Sequence, residues 1–224
     1  QGKLSAPDLD LSLSSNGLNP SDEERALMAP YLFRIPCSPH LAAEKEGREI
    51  DTAVVADALR KLAARHDCVV AESAGGALVP LNGRGETILD AIQAVDWPVL
   101  LVVRNGLGCI NHAWLSVEAL RSRGIEILGV VVNETKPFPK DELNALIWSD
   151  TAKSIARFCG VPVHCTAPFC KGPWASVEKD APGLAAALRA FAEKGGTEPS
   201  SAEDVAFDAA HFGPRYTKKK KQMQ

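Results

Sequence analysis

Three segments of the sequence place polar or glycine-rich residues directly after apolar runs, where they are able to do chemistry. In the first, VVAESAGGALVPL, Glu72 follows a β-branched run and precedes Gly75 and Gly76. A carboxylate beside glycines, which let the backbone approach a ligand closely, suits a magnesium ion held next to phosphates. The alternative is that this run ends in an ordinary turn and that Glu72 is only solvated.

The second segment, VRNGLGCINHAW, joins a strand end to a helix through two glycines. The amides from Cys109 to Asn111 then stand at a helix N-terminus, which attracts carboxylate or phosphate. Asn111 also has an alternative role as the N-cap of that helix. The third segment, IEILGVVVN, ends at Asn133, whose side-chain amide both donates and accepts hydrogen bonds and therefore suits the edge of a purine base.

Helical and strand-like patterns alternate around these segments. Helical spacing predicts helices over residues 52–65, 86–95, 112–124, 140–159 and 184–194, and apolar or β-branched runs predict strands over 67–73, 98–103, 125–133 and 161–165. Residues 1 to about 30 show no sustained period, so we expect loop there with at most a short helix from Asp22 to Met28. Because the runs are continuously apolar, both faces of the sheet are expected to be covered, which indicates a doubly wound α/β fold with a mostly parallel sheet.

Ligands of such a sheet bind beyond the carboxyl ends of its strands. The residues that follow the apolar runs are therefore the candidates for a site, namely Glu72, residues 104–111, Asn133 and residues 166–169. The sequence thus predicts an acid for a cation, an amide for a purine and a helix start for an anion in one cleft.

Composition argues against several classes of function. The chain has 224 residues, of which 46% are hydrophobic and 6% aromatic, which is ordinary for a folded domain. A net charge of -3 gives no basic field for nucleic acid, and the apolar runs are shorter than the ~20 residues of a membrane span. The six cysteines lack CxxC spacing, so we expect them to be reduced and buried.

The phosphate-loop pattern G-x-x-x-x-G-K-[ST] does not occur in these residues. The residues by themselves therefore indicate an α/β domain that handles a nucleotide. The sequence begins at Gln1 rather than Met, and we expect it to be a fragment that lacks its first strand and its phosphate loop.

Four segments resemble consecutive signature segments of the dethiobiotin synthetase family, from about Pro30 to Pro168. They are PYLFRIPCSPHLAAEKEGREID, VVAESAGGALVPL, PVLLVVRNGLGCINHAWLSVEALRSRG and ILGVVVNETKP. The SPHLAA-x-x-EG and LG-x-INH parts are specific to that family, whereas the glycine stretch is shared with related phosphate-loop synthetases. The resemblance implies a sheet of the phosphate-loop NTPase type.

The resemblance also implies a ligase of biotin biosynthesis that uses ATP and Mg²⁺. Family members convert one amine of 7,8-diaminononanoate to a carbamate with CO₂, phosphorylate the carbamate with ATP, and close the ureido ring by attack of the second amine. A homodimer with the substrate site across its interface is implied, without nucleic acid or membrane. The implied location is the cytoplasm, or the mitochondrion for a bifunctional enzyme of the plant type.

Carried onto this sequence, the resemblance implies a metal site formed by Glu72 and Asp8, with Asp10 as the alternative to Asp8. The expected nucleotide-binding residues are Asp8, Glu72, Ser73, Ala74, Gly75, Asn133, Glu134, Pro168, Phe169 and Cys170. The expected substrate-binding residues are Leu107, Gly108, Cys109, Ile110 and Asn111. The family's catalytic lysines would precede Gln1, so no catalytic residue is expected within the sequence.

The sequence departs from the family in two places. Ser73 stands where the family usually has a glycine, which is tolerable unless the backbone needs a positive φ there. The late loop APFCKGPW lacks the family's tryptophan and acid. We expect a loop-rich part over residues 1–29, a dethiobiotin-synthetase-like α/β domain over 30–194 and a polar, disordered tail over 195–224, in which FDAAHFGPRYT faintly resembles the start of diaminopelargonate aminotransferase.

Because a phosphate loop is absent from these residues, we expect them alone to bind ATP poorly and to turn over nothing. Two alternatives stay open on the sequence. One is a non-catalytic α/β partner, and the other is a phosphate-loop synthetase of the cobyrinate-synthase type. The SPHLAA and CINH segments argue against the second of these.

Overall fold

A computed structural model of the chain describes residues 4–169, together with residues 185, 186 and 189. Residues 4–169 form seven helices and three strands. In chain order these are α1 (Pro7–Ser15), α2 (Asp22–Met28), α3 (Pro39–Lys45), α4 (Thr52–Ala63), α5 (Ile88–Val95), β1 (Val99–Arg104), α6 (Cys109–Ser122), β2 (Ile127–Asn133), α7 (Glu142–Cys159) and β3 (Val163–Ala167).

The three strands form one parallel sheet in the order β1-β2-β3. Parallel neighbours need a crossover connection, and α6 and α7 supply it after β1 and β2 respectively. Each of these strands coincides with a predicted apolar run. The helices around the strands form within a few residues of their predicted bounds. The parallel α/β architecture is therefore confirmed.

Helices α6 and α7 cover one face of this sheet. Their contact forms a buried core of Val103, Val130 and Val132 from the strands, Ala113 and Val117 from α6, and Ile155 and Cys159 from α7. Successive side chains of a strand point to opposite faces. Val102 accordingly points away from α6 and is 58% exposed. The expectation that both faces are covered is thus wrong at β1, because the part of the chain that the structure describes leaves this stretch of its second face open.

Two irregularities of the sheet lie side by side. The pairing of β1 with β2 passes from Val99 and Ile127 directly to Leu100 and Gly129, so Leu128 is an extra residue on β2. The pairing of β2 with β3 likewise skips His164. The extra residues contact each other, since the His164 Nε2–H donates to the Leu128 carbonyl at 2.9 Å. Gly129 has φ +148, and such a bulge favours glycine because L side chains rarely adopt that conformation.

An ion pair joins the start of α5 to the end of α6. The backbone N–H and hydroxyl of Thr87 donate to Asp90 Oδ2 at 2.6 and 2.7 Å, and Arg123 donates to Asp90 Oδ1. Burial raises the pKa of Asp90, but the hydrogen bonds from Arg123 and Thr87 outweigh it and hold this pKa at about 2, below the ordinary 3.8. Because the pKa is depressed in the folded chain, the ionised carboxylate stabilises the fold.

We expect Asp90→Asn to lower the free energy of unfolding by about 1–2 kcal/mol at pH 7. The effect is no larger because the pair is partly exposed and solvent screens the interaction. The stabilisation is complete above about pH 4 and is lost as the pH falls towards 2, so the two proteins should converge there. Urea unfolding at several pH values measures the difference. Asp57→Asn, which breaks an exposed pair with Lys61, should cost much less. A pH-independent difference would contradict the assignment.

The predicted strand over residues 67–73 is wrong. This segment joins no strand of the sheet, and Val70 within it is 86% exposed. A β-branched run favours extended backbone, but a strand exists only where a neighbour supplies its hydrogen bonds. Cys68 lies in the same segment and Cys37 in the loop before α3, and both are exposed, so the expectation that all cysteines are buried is also wrong.

The first thirty residues contain more helix than predicted. Helix α2 has the predicted bounds and is capped by the Ser21 side chain, which accepts from the Glu24 amide at 3.2 Å. Helix α1 precedes it, although loop was expected there. Of the predicted closing helix, Ala185, Ala186 and Arg189 are helical. Its remainder and the predicted polar tail lie outside the described residues.

Candidate functional site

The carboxyl ends of the three strands form one edge, as the pattern predicts. Arg104 pairs with Asn133, and Asn133 pairs with Ala167. Backbone hydrogen bonds continue past the strand ends, from the Asn105 amide to the Asn133 carbonyl at 2.8 Å and from the Glu134 amide to the Ala167 carbonyl at 2.9 Å. The residues that follow β1, β2 and β3 are therefore held together at this edge.

The first turn of α6 carries free amide donors at the same edge. Gly108 is the N-cap residue with φ +87, so the alternative of Asn111 as N-cap is wrong. The Cys109 amide already donates to the Gly106 carbonyl at 3.1 Å. The amides of Ile110 and Asn111 have no hydrogen-bond acceptor among the described residues. An anion at this helix start therefore meets two N–H donors and the positive end of the helix dipole.

A buried polar group ties this turn to the middle of α7. Asn105 is 4% exposed, and its Nδ2 donates to the Trp148 carbonyl at 3.4 Å. The Cys109 thiol donates to Thr151 Oγ1 at 3.8 Å, and the Thr151 hydroxyl donates to the Ile147 carbonyl at 3.0 Å. The sequence analysis did not predict these contacts. Asn105 just after an apolar run was the only indication of a buried polar group there, and its partner in α7 lies 43 residues away in the sequence.

Asn133, the candidate for binding a purine base, ends β2, the middle strand of the sheet. The Asn133 side chain is half-buried and has no hydrogen-bond partner in the described part of the chain. Glu134 follows it, and Pro168 and Phe169 follow β3 as exposed residues next to the same edge. The structure therefore brings these four nucleotide candidates together. Cys170, the last of the predicted late-loop residues, lies outside the described residues.

The glycine stretch after Glu72 forms an exposed turn. The Ser73 hydroxyl donates to the Gly75 carbonyl at 2.7 Å, and the Gly75 amide donates to the Ser73 carbonyl at 2.9 Å. Ser73 does not have a positive φ, so serine is tolerated at this position as expected. Glu72, Ser73 and Ala74 are exposed, and no described residue forms a hydrogen bond or ion pair with Glu72. No hydrogen bond or ion pair within the described chain links this turn to the strand ends.

The two acids of α1 differ in their availability. Asp10 forms an ion pair with Arg25 of α2. Asp8 is exposed in the first turn of α1 and has no ion-pair partner among the described residues. Of the two alternatives for a second metal ligand, Asp8 is therefore the carboxylate whose oxygens are free.

Comparison with known proteins identifies the family. A family model described as an AAA domain matches residues 12–172, well over half of the chain. An ATP-dependent dethiobiotin synthetase of Haemophilus influenzae is 41% identical over 129 residues, which cover 57% of this chain and 67% of that protein. The chain belongs to the AAA-domain family and to the dethiobiotin synthetases.

Two further dethiobiotin synthetases show the same relationship. The protein of Anaeromyxobacter dehalogenans is 48% identical over 134 residues, covering 59% of this chain and 58% of that protein. The protein of Bacillus licheniformis is 35% identical over 150 residues, covering 66% of this chain and 59% of that protein. Both carry the name ATP-dependent dethiobiotin synthetase. The chain spans about three fifths of the length of the curated relatives it matches.

The two candidate metal-binding acids are carboxylates, which are donors of the type that Mg²⁺ accepts in proteins. Mg²⁺ is usually held by one or two carboxylates, with phosphate and water oxygens completing its shell. Glu72 and Asp8 offer exposed oxygens of this kind. Within residues 4–169, 185, 186 and 189, no three His, Cys, Asp or Glu side chains gather as a metal site.

A search of the same residues finds no helix with the length and apolar character needed to cross a bilayer.

Proposed function

We propose that the chain forms the nucleotide-base and substrate-carboxylate edge of an ATP- and Mg²⁺-dependent dethiobiotin synthetase. The reaction would join CO₂ to 7,8-diaminononanoate and close the ureido ring of dethiobiotin. One observation carries this proposal: the free amides of Ile110 and Asn111 stand at the same sheet edge as Asn133, to which the Asn105 backbone is hydrogen-bonded. Such a site would bind an anion through the backbone amides and a purine base through the Asn133 side chain, at neighbouring positions.

The first turn of α6 would bind the substrate's carboxylate. Two unpaired N–H donors and the helix dipole favour a single negative charge there. Leu107 precedes this turn and is 83% exposed, so an aliphatic chain attached to the carboxylate has an apolar side chain to contact. A medium-length aliphatic acid such as 7,8-diaminononanoate matches both features.

The edge at Asn133 would hold the adenine of ATP. Its side-chain amide is able to donate to a ring nitrogen and accept from an exocyclic amine at the same time. Phe169 lies two residues beyond the end of β3, the strand that pairs with β2, and its aromatic ring would pack on the base. ATP would supply the phosphoryl group that activates the carbamate, while the residues named here bind and orient the two substrates. Glu72 and Asp8 would hold Mg²⁺.

We also propose that two copies of the chain associate through the outer face of α6. Trp114 and Leu115 on this face are 43% and 61% exposed, and the Trp114 ring stacks on Phe158 of α7 at 6.3 Å. Contiguous apolar side chains of this size mark interaction sites. A second copy on this face would cover the substrate turn, which begins at the N-terminus of the same helix.

The proposal places the protein in the cytoplasm, where thiols stay reduced. Cys37 and Cys68 are exposed free thiols, and Cys109 and Cys159 are buried free thiols. A reducing compartment suits a chain that carries unpaired exposed cysteines.

Titration calorimetry tests the proposal. We expect the chain to bind 7,8-diaminononanoate, and MgATP only weakly, because the sequence contains no phosphate loop. Joined to the phosphate-loop segment of a relative, it should bind MgATP tightly and form dethiobiotin, and sedimentation should give twice the monomer mass. Binding of both ligands without turnover in the joined chain would favour the non-catalytic partner. Failure of wild type and joined chain to bind the diamine would overturn the proposal and favour another phosphate-loop synthetase.

A further inference from the structure

One cation at the sheet edge has no partner in the site described so far. Arg104 is the last residue of β1 and pairs in register with Asn133 on β2. Residues paired in neighbouring parallel strands point to the same face, and their strands lie ~4.8 Å apart. Because Val103 faces α6, Arg104 points to the opposite face, which is open at Val102. The Arg104 side chain therefore leaves β1 beside the Asn133 side chain, on the same face of the sheet.

Arg104 differs in its charge environment from five other arginines of the described chain. Arg25, Arg65, Arg84, Arg121 and Arg123 all form ion pairs with acids. The Arg104 side chain is exposed, and among the described residues it has no ion pair or hydrogen bond. An uncompensated cation at the carboxyl edge of a parallel sheet is placed to receive an anionic ligand.

The strand order indicates which anion this is. Pro168 and Phe169 follow β3, and Asn133 ends β2, so a base bound by these residues lies over the β2–β3 side of the edge. Arg104 stands on the other side of β2, one strand further from the base. A polyphosphate that runs from the base along the edge passes over β1. A guanidinium binds phosphate through two parallel N–H donors.

We propose that Arg104 contacts the polyphosphate of the nucleotide whose base is read at Asn133. This inference rests on the proposed function, since it needs a nucleotide at this edge. It assigns Arg104 to the nucleotide and not to the substrate's carboxylate. The two sites diverge at β1, because Arg104 points away from α6 whereas the free amides belong to α6 itself.

Calorimetry of Arg104→Met against wild type tests the assignment, with MgATP and adenosine each titrated to millimolar concentration. We expect Arg104→Met to weaken MgATP binding about tenfold and to leave adenosine and 7,8-diaminononanoate unchanged, because only the polyphosphate loses a charged contact. Arg104→Lys should keep part of the MgATP affinity. Arg34→Met is the matched control, an exposed arginine in the loop before α3, and should bind all three ligands as wild type does.

Each other result overturns the inference in a distinguishable way. Unchanged MgATP binding by Arg104→Met, with wild type binding normally, refutes the role of Arg104 alone. An equal loss of adenosine makes Arg104 a base contact or a structural residue, and a loss of 7,8-diaminononanoate makes it a carboxylate contact. Absence of MgATP binding by wild type at millimolar concentration, together with its absence in the chain joined to the phosphate-loop segment of a relative, refutes the nucleotide site and the inference together.

Discussion

Replacing Gly129 with alanine is expected to lower the free energy of unfolding by about 3 kcal/mol. A Cβ at this position would collide with His164 Nε2 and would lie 2.8 Å from the Pro162 carbonyl oxygen. The carbonyl is backbone that is fixed by the Val130 amide, which donates to it at 2.8 Å, so it has little freedom to move. The φ of +148 adds strain for any residue with a Cβ.

Urea denaturation measures this effect, with Gly83→Ala as the matched control. Gly83 has no atom within 4 Å of an added Cβ and no positive φ, so alanine should change its stability by less than about 0.5 kcal/mol. His164→Ala in the Gly129→Ala background should recover part of the loss, because it removes one of the two colliding groups. Equal stability of the Gly129 and Gly83 variants would show that the bulge is not tightly packed.

Replacing Asn111 with aspartate is expected to weaken the binding of 7,8-diaminononanoate by tenfold or more. The change keeps the size of the side chain and places a negative charge in the first turn of α6, beside the amides that would hold the substrate's carboxylate. The same charge favours the helix itself, by about 0.3–1 kcal/mol, because it complements the dipole. Ligand affinity should therefore fall while stability stays constant or rises.

Calorimetry with the diamine and a thermal melt of the same sample separate these two effects. Asn111→Ala is the control, since it removes the side chain and leaves both backbone donors in place. It should bind the diamine within about threefold of wild type if the backbone carries the contact. Tight binding by the aspartate variant would mean that the carboxylate binds elsewhere.

Local patterns were sufficient to predict the elements whose partners are near in sequence. Helices α4 and α7 appear at the predicted positions because their apolar residues repeat at helical spacing. Helix α1 was not predicted, since the first thirty residues show no sustained period. Its helix is favoured instead by proline at the first position and by Asp8 and Asp10 in the first turn.

The errors concern pairings between distant residues. The run around Val70 has a strand-forming composition, but no neighbouring strand pairs with it in the described residues. In the candidate site, the helix start with free amides was predicted from its glycines. The hydrogen bond from the Cys109 amide to the Gly106 carbonyl was not predicted, because it depends on the positive φ angles of Gly106 and Gly108 in the loop. The contact of Cys109 with Thr151 depends on how α6 packs on α7, which no local pattern encodes.

Helix α6 is anchored at both ends before any ligand arrives. Its start is joined to α7 through Cys109 and Thr151, and its end is joined to α5 through Arg123 and Asp90. Arg121 adds a further anchor by donating to the Gly160 carbonyl at 2.8 Å. The amides of Ile110 and Asn111 are therefore held in place before a ligand binds. When a carboxylic acid binds, only the ligand itself loses conformational freedom. The entropic penalty of recognition at this turn is correspondingly small.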